Sequence, residues 1–190
     1  AEPWLELAGS TRASIARLVG ADEMEVVAMN TLTVNLHLLL ATFYLPSGDR
    51  HRILIEDSAF PSDSHAVRSQ AALHGHDPST AIVRLQPRAG EETLRTEDVV
   101  DAIEREGDRL ALVLLGAVNY LTGEVLDARD ITVATQAAGA VSGWDLAHAI
   151  GNVPAELHDI GADFAVWCHY KYVNAGPGAP GGAFVHARHF

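Results

Sequence analysis

A single cysteine, Cys168, leaves the chain with no internal disulfide framework, a usage that fits a reducing compartment. Basic residues are few. Thirteen Lys and Arg stand against twenty-five Asp and Glu, a net charge of −12, and that balance disfavours nucleic acid and anionic membrane surfaces as partners. A small anionic ligand stays open, since it needs only a local cradle. Lysine occurs once, at Lys171. Long apolar runs are missing too: the longest, Leu36 to Leu45, contains His37 and is far too short to span a bilayer. The opening Ala1-Glu-Pro-Trp-Leu-Glu6 lacks the basic start and apolar core of a signal peptide. These absences predict a soluble, cytoplasmic protein. With 190 residues, 48% of them hydrophobic, there is enough chain for one sizeable core, and no repeat, low-complexity tract or linker divides it.

Strand-like and helix-like patterns alternate almost throughout. Glu25–Met29, Arg52–Glu56, Ala81–Leu85, Arg109–Leu115, a run ending at Trp144-Asp145, Asp163–Trp167 and Gly182–His186 read as strands. Ser10 or Thr11 caps a helix carrying Ile15, Leu18 and Val19, which Gly20 stops. Thr31 or Thr33 opens a helix that is apolar nearly all round and is therefore expected to be buried. Pro61 suits the first turn of another; Thr96 caps one with Val99, Val100 and Ile103 on one side; a last one runs from about Asp130 to Gly139. This alternation predicts an α/β fold, a mostly parallel sheet with helices on both faces. Ala187-Arg-His-Phe190 ends just after a strand without a stop signal, so residues 1–190 are expected to be one domain cut short.

Several short strings can carry chemistry. Asp145 ends one apolar strand and the lone lysine, Lys171, follows the next. Pyridoxal phosphate (PLP) chemistry needs that pair, an amine to hold the cofactor and an acid to keep its ring nitrogen protonated. In an open α/β sheet, strand ends are where ligands bind. The plain alternative is an acid capping a helix and a surface lysine. Asn30-Thr-Leu32-Thr33-Val-Asn35 lies between a strand and a helix, where free N–H groups and a hydroxyl suit an anion, unless Thr33 merely caps the helix. In Ser58-Ala-Phe60-Pro61-Ser62-Asp63 the ring can lie on a flat cofactor, or Phe60 can be core and Asp63 a favourable charge at a helix start. Gly176-Pro-Gly178-Ala-Pro-Gly181 matches G-x-G-x-x-G by letter, but it comes late, runs into a strand and has prolines in place of two N–H donors, so it reads as a turn. Asp145, His148, His158, Cys168 and His169 lack any familiar zinc spacing, and no metal is expected.

Taken together, Met29–Leu40, Ala59–Asp63, Tyr120-Leu-Thr-Gly123, Asp145–Asn152 and Trp167–Gly178 resemble kynureninase, a PLP-dependent hydrolase of tryptophan breakdown with the fold of the aspartate aminotransferase superfamily (fold type I). The resemblance runs from about residue 5 to the end, and it implies the following. Lys171 carries PLP and shuttles the substrate's Cα proton, with Tyr170 as the other catalytic acid/base. Asp145 pairs with the ring nitrogen. Phe60 stacks on the ring, and Pro61, Ser62 and Asp63 complete that wall. Leu32 and Thr33 bind the phosphate, while His148 and Tyr170 support the cofactor. The substrate is kynurenine or 3-hydroxykynurenine, the products an anthranilate and L-alanine on a route that also feeds NAD biosynthesis, and the enzyme a cytoplasmic homodimer. Gly116 departs from the pattern, standing where relatives usually have Ser or Thr as a cofactor contact. On this resemblance residues 1–190 are the PLP-binding large domain. An N-terminal segment, a C-terminal small domain with the arginine that grips the substrate carboxylate, and phosphate contacts from a neighbouring subunit then lie outside it. Within enzymes the alternatives are a cysteine desulfurase-like or aminotransferase-like protein; outside them, a non-catalytic PLP-binding fragment.

Overall fold

The computed structural model describes residues 4–7 and 9–190; the Ala1-Glu-Pro3 part of the opening segment lies outside them. Seven strands form one sheet: β1 (Val26–Ala28), β2 (Arg52–Glu56), β3 (Ile82–Leu85), β4 (Leu110–Gly116), β5 (Val141–Asp145), β6 (Phe164–Cys168) and β7 (Gly181–Val185). Their spatial order is β1-β7-β6-β5-β4-β2-β3. Strands β2 to β6 run parallel, and β7 is antiparallel to both of its neighbours, β6 and β1. The carboxyl ends of β1, β2, β4, β5 and β6 therefore share one edge. Register levels them: Gly116 pairs with Asp145, and Asp145 with Val166.

Helices α1 (Arg12–Val19), α2 (Leu32–Phe43), α3 (Pro61–Leu73), α4 (Pro78–Ala81), α5 (Thr96–Glu106), α6 (Ala128–Ala137) and α7 (Leu157–Ile160) connect the strands. The period-2 alternation along each strand divides the core in two. Leu112 and Leu114 of β4 join Ile53, Ile55, Phe164 and Val166 under α2 and α3. Val113 and Leu115 join Leu54, Trp144 and Ala165 under α1, α5 and α6. Because strands of a parallel sheet are covered on both faces, they are apolar in nearly every position.

Some expectations need correcting. Helix α2 is not buried all round. Leu36, Leu39 and Leu40 are buried against the sheet, while Val34 and Leu38 are 46% and 49% exposed, because only one side of an outer-layer helix meets the sheet. Leu18 likewise points outward, with Ile15, Ala16 and Val19 taking the inner face of α1. Arg95, not Thr96, holds the cap position of α5; the Thr96 hydroxyl instead accepts from the Asp127 N–H at 3.4 Å.

Candidate active site

Thr31 caps α2, its Oγ1 accepting from the Val34 N–H at 3.3 Å. That frees Thr33 from capping and places Leu32 and Thr33 in the first turn, on a helix start where N–H groups favour an anion. At the end of β2 the chain turns through Phe60, which precedes Pro61 at the first position of α3. The proline's fixed φ starts this helix and directs Ser62 and Asp63 into its opening turn. After β4 come Val118 and Tyr120, after β5 Ala147 and His148, and after β6 Tyr170 and Lys171.

These loops meet over the shared strand edge in a cavity of roughly 240 Å3. Leu32, Thr33, Phe60, Ser62, Asp63, Asp145, His148, Tyr170 and Lys171 all line it. Pro61 does not, and its part is to set the helix that carries its neighbours. Phe60 is 44% exposed rather than core, and its ring meets Tyr120 edge to face at 5.2 Å and 83°. Lys171 Nζ lies 5.7 Å from the Phe60 ring centre and 3.0 Å from His148 Nε2. The His148 imidazole is held below its ordinary pKa by burial and by the Lys171 charge, so it can accept from that amine. The Asp145 carboxylate is buried at the sheet edge, and its Oδ1 accepts from the Ala147 N–H at 2.6 Å.

Burial raises the pKa of Asp145, and burial followed by repulsion from Asp145 pushes Asp63 up to about 9. The two carboxyls are hydrogen-bonded to each other, so without a bound cation the pair shares a proton, held on Asp63. Tyr170 is raised too, first by its hydrogen bond with Cys168 and then by burial, and keeps its phenolic proton at neutral pH.

The Asp63 shift has a measurable consequence. Its folded pKa lies above the unfolded value of 3.8, so the folded form meets no penalty below that value, and stability is lost as pH rises towards about 9. Asp63→Asn is expected to raise the melting temperature of the cofactor-free protein by ~3 °C or more near pH 8. The gain should shrink as pH falls and vanish well below pH 3.8, where the Asp63 carboxyl is protonated in both states. A pH-independent gain, or none, in calorimetry would show that Asp63 is not protonated there.

Asp145, His148, His158, Cys168 and His169 do not bring three ligating atoms together. Among the described residues, a different trio, Glu25, His158 and His186, brings three ligating atoms within 4.8 Å of one another. Its bonds are already spent: the buried Glu25 carboxylate accepts from the Asp22 and Ala187 N–H groups at 2.9 and 2.8 Å and meets His158 Nδ1 at 2.9 Å. The two imidazoles stack 4.9 Å apart at 21°, and both Nδ1 atoms face the same Glu25 Oε1, at 2.9 and 3.7 Å. The trio clasps the turn after β7. The glycine-rich string is, as expected, a turn running into β7.

The cavity also exposes Gly116, the position noted for its departure from the family pattern, and residues with no role assigned from sequence: Glu56, Val118, Tyr120 and Ala147. Glu56 ends the strand Arg52–Glu56, and nothing local in that string marks its carboxylate for the cavity.

A parallel sheet with a lysine, an acid and an aromatic ring converging at its carboxyl edge defines a class, and the chain belongs to it: it is a member of the aminotransferase class-V family, matched over residues 5–180. More particularly, it is similar to the kynureninases of Salinispora tropica (64% identical), Myxococcus xanthus (57%) and Nematostella vectensis (51%), each over 187 residues. Those matches cover 98% of this chain but 44%, 44% and 40% of the relatives, so the chain spans less than half of their length. Among solved structures, the apo cysteine desulfurase of Thermococcus onnurineus NA1 matches with a TM-score of 0.79 at 20% identity, covering 96% of this chain and 43% of that one. A cystine C-S lyase, C-DES, solved with its product cysteine persulfide, gives 0.79 at 20% identity over 95% of this chain and 46% of that one. At such identity these two speak for the fold alone.

Proposed function

We propose that this chain is the cofactor-binding large domain of a PLP-dependent kynureninase, which hydrolyses L-kynurenine or its 3-hydroxy form to the corresponding anthranilate and L-alanine. The observation that carries the reading is the convergence of the lone lysine, a buried aspartate, an aromatic face and a helix start on one cavity, in a chain 64% identical to a kynureninase. The donor set fits the cofactor. The α2 start with Thr33 suits its phosphate, the Phe60 ring its flat face, Asp145 its basic nitrogen and Lys171 its aldehyde carbon. A cysteine desulfurase or aminotransferase is the weaker reading, since that likeness reaches only about 20% identity and the kynureninase likeness 51–64%.

When bound, PLP supplies an electron sink for the electrons released at the substrate's Cα. Asp145 holds the proton at the ring nitrogen that makes the sink effective. A positive charge at that nitrogen would lower the raised pKa of Asp145 and favour its carboxylate. Lys171 anchors the cofactor and then carries the Cα proton, with His148 Nε2 at 3.0 Å able to take a proton from the amine. Tyr170, 53% exposed at the cavity mouth and protonated at neutral pH, donates to the carbon released when water cleaves the Cβ–Cγ bond. Leu32 and Thr33 hold the anion, and Ser62 and Asp63 close the polar edge beside Asp145.

A homodimer and a cytoplasmic location, in tryptophan breakdown on the way to NAD, belong to the same reading. Exposed Val34 and Leu38 on the outer side of α2, whose first turn lines the cavity, supply apolar surface for a second subunit. No helix among the described residues is long and apolar enough to cross a membrane. The test is turnover and sedimentation of the whole protein loaded with PLP. It is expected to release anthranilate and alanine from L-kynurenine and to sediment as a dimer. Release of sulfur from cysteine instead, with kynurenine untouched, would overturn the reading.

A further inference from the structure

Glu56 has no part in the chemistry above, yet it is buried at the cavity wall. Its two oxygens face N–H donors. Oε2 accepts from Asn119 Nδ2 at 2.6 Å, short enough for a charge-assisted bond, and Oε1 accepts from the Gly116 N–H at 3.3 Å. The approach depends on Gly116 having no side chain, because a Cβ there would sit 3.0 Å from that same Oε1.

Asn119 uses its whole amide. Its second Nδ2 hydrogen goes to Ser58 Oγ at 3.0 Å, and its Oδ1 accepts from the Leu121 and Thr122 N–H groups at 2.9 and 3.1 Å. One side therefore grips the turn leading to Phe60, and the other pins the turn that carries Tyr120. Beyond that Asn119–Ser58 bond, the two turns meet in the edge-to-face contact of Phe60 and Tyr120, the aromatic side of the cavity.

We infer that Glu56, acting through Asn119, is a positioning residue that fixes the Tyr120 ring against Phe60 and so sets the aromatic wall on which the cofactor ring rests. The inference rests on the PLP reading for its ligand, but the Tyr120 placement holds without any cofactor. Polarity makes it specific. In Glu56→Gln one amide hydrogen pair must face a donor, either Asn119 Nδ2 or the Gly116 N–H. In Asn119→Asp two carboxylates face each other. The double variant restores a donor opposite an acceptor, with the direction of the bond reversed and the Gly116 and Leu121 bonds kept.

The experiment uses the whole protein labelled with 3-fluorotyrosine, in which the Tyr120 fluorine resonance is identified by its loss in Tyr120→Phe. In the PLP-free protein, each single variant is expected to move and broaden that resonance, and the double variant to return it to its wild-type position. With PLP added, each single variant should raise the Kd about tenfold, the equivalent of one charge-assisted hydrogen bond, and the double should recover most of that loss. An unmoved Tyr120 resonance in both single variants, even with lower melting temperatures, would overturn the inference by leaving the pair a purely structural one. So would a double variant no better than the worse single. If the wild type takes up no PLP, the cofactor reading fails, and the fluorine spectra alone still decide whether Glu56 places Tyr120.

Discussion

Replacing Lys171 with alanine in the whole protein is expected to lower kynurenine turnover by roughly four orders of magnitude, the upper range for removing a general acid–base group. The chain offers no substitute, because Lys171 is its only lysine. The nearest basic group, His148 Nε2 at 3.0 Å from Nζ, can take a proton but offers no primary amine. The fold should survive, since Lys171 lies in a loop after β6 and contributes nothing to either core cluster. An unchanged far-ultraviolet spectrum beside the lost activity separates the two effects. Partial restoration of turnover by a small added primary amine would tie the loss to the missing amine itself. Turnover within tenfold of wild type would remove Lys171 from the chemistry.

Asp145→Ala comes next in size. Loss of the ring-nitrogen partner removes an interaction that strengthens as electrons move into the ring, so kcat should fall more than KM rises. A fall of about a hundred- to a thousandfold in kcat is expected, comparable to the loss of one preorganised electrostatic partner. Asp145→Glu should retain more activity than Asp145→Ala, since the carboxylate survives at a shifted distance. Asp63 remains beside the gap and keeps the loss from being larger. Equal kcat in Asp145→Ala and wild type would refute the assigned role.

The sequence announced its strands and helices because apolar period and caps agree: Pro61 opens α3, Gly20 and Gly107 close α1 and α5, and β4 is apolar along almost its whole length. Two features could not be read there. The position of β2 between β3 and β4, and the reversed direction of β7, are set by how the layers pack, not by any local string. The first of these hid Glu56. Arg52-Ile-Leu-Ile-Glu56 reads as a strand with polar ends, but inside the sheet its last residue is buried beneath the cavity. Asp145 and Lys171 stood out as an acid and a lone lysine at the ends of successive apolar strands, and the sheet brings both to one cavity. Tyr120 and Asn119 were not assigned roles, since a turn rich in polar and aromatic residues has many uses until its neighbours are known. The hydrogen bond from Asn119 to Glu56 spans 63 positions of chain, and nothing local signals it.

The most direct test of Lys171 as the anchor of PLP is borohydride reduction of the PLP-loaded whole protein, followed by peptide mapping. If Lys171 anchors the cofactor, the pyridoxyl label is found on the peptide containing His169-Tyr170-Lys171-Tyr172, in stoichiometric yield. A label carried by a lysine elsewhere in the protein, with that peptide unmodified, would contradict it.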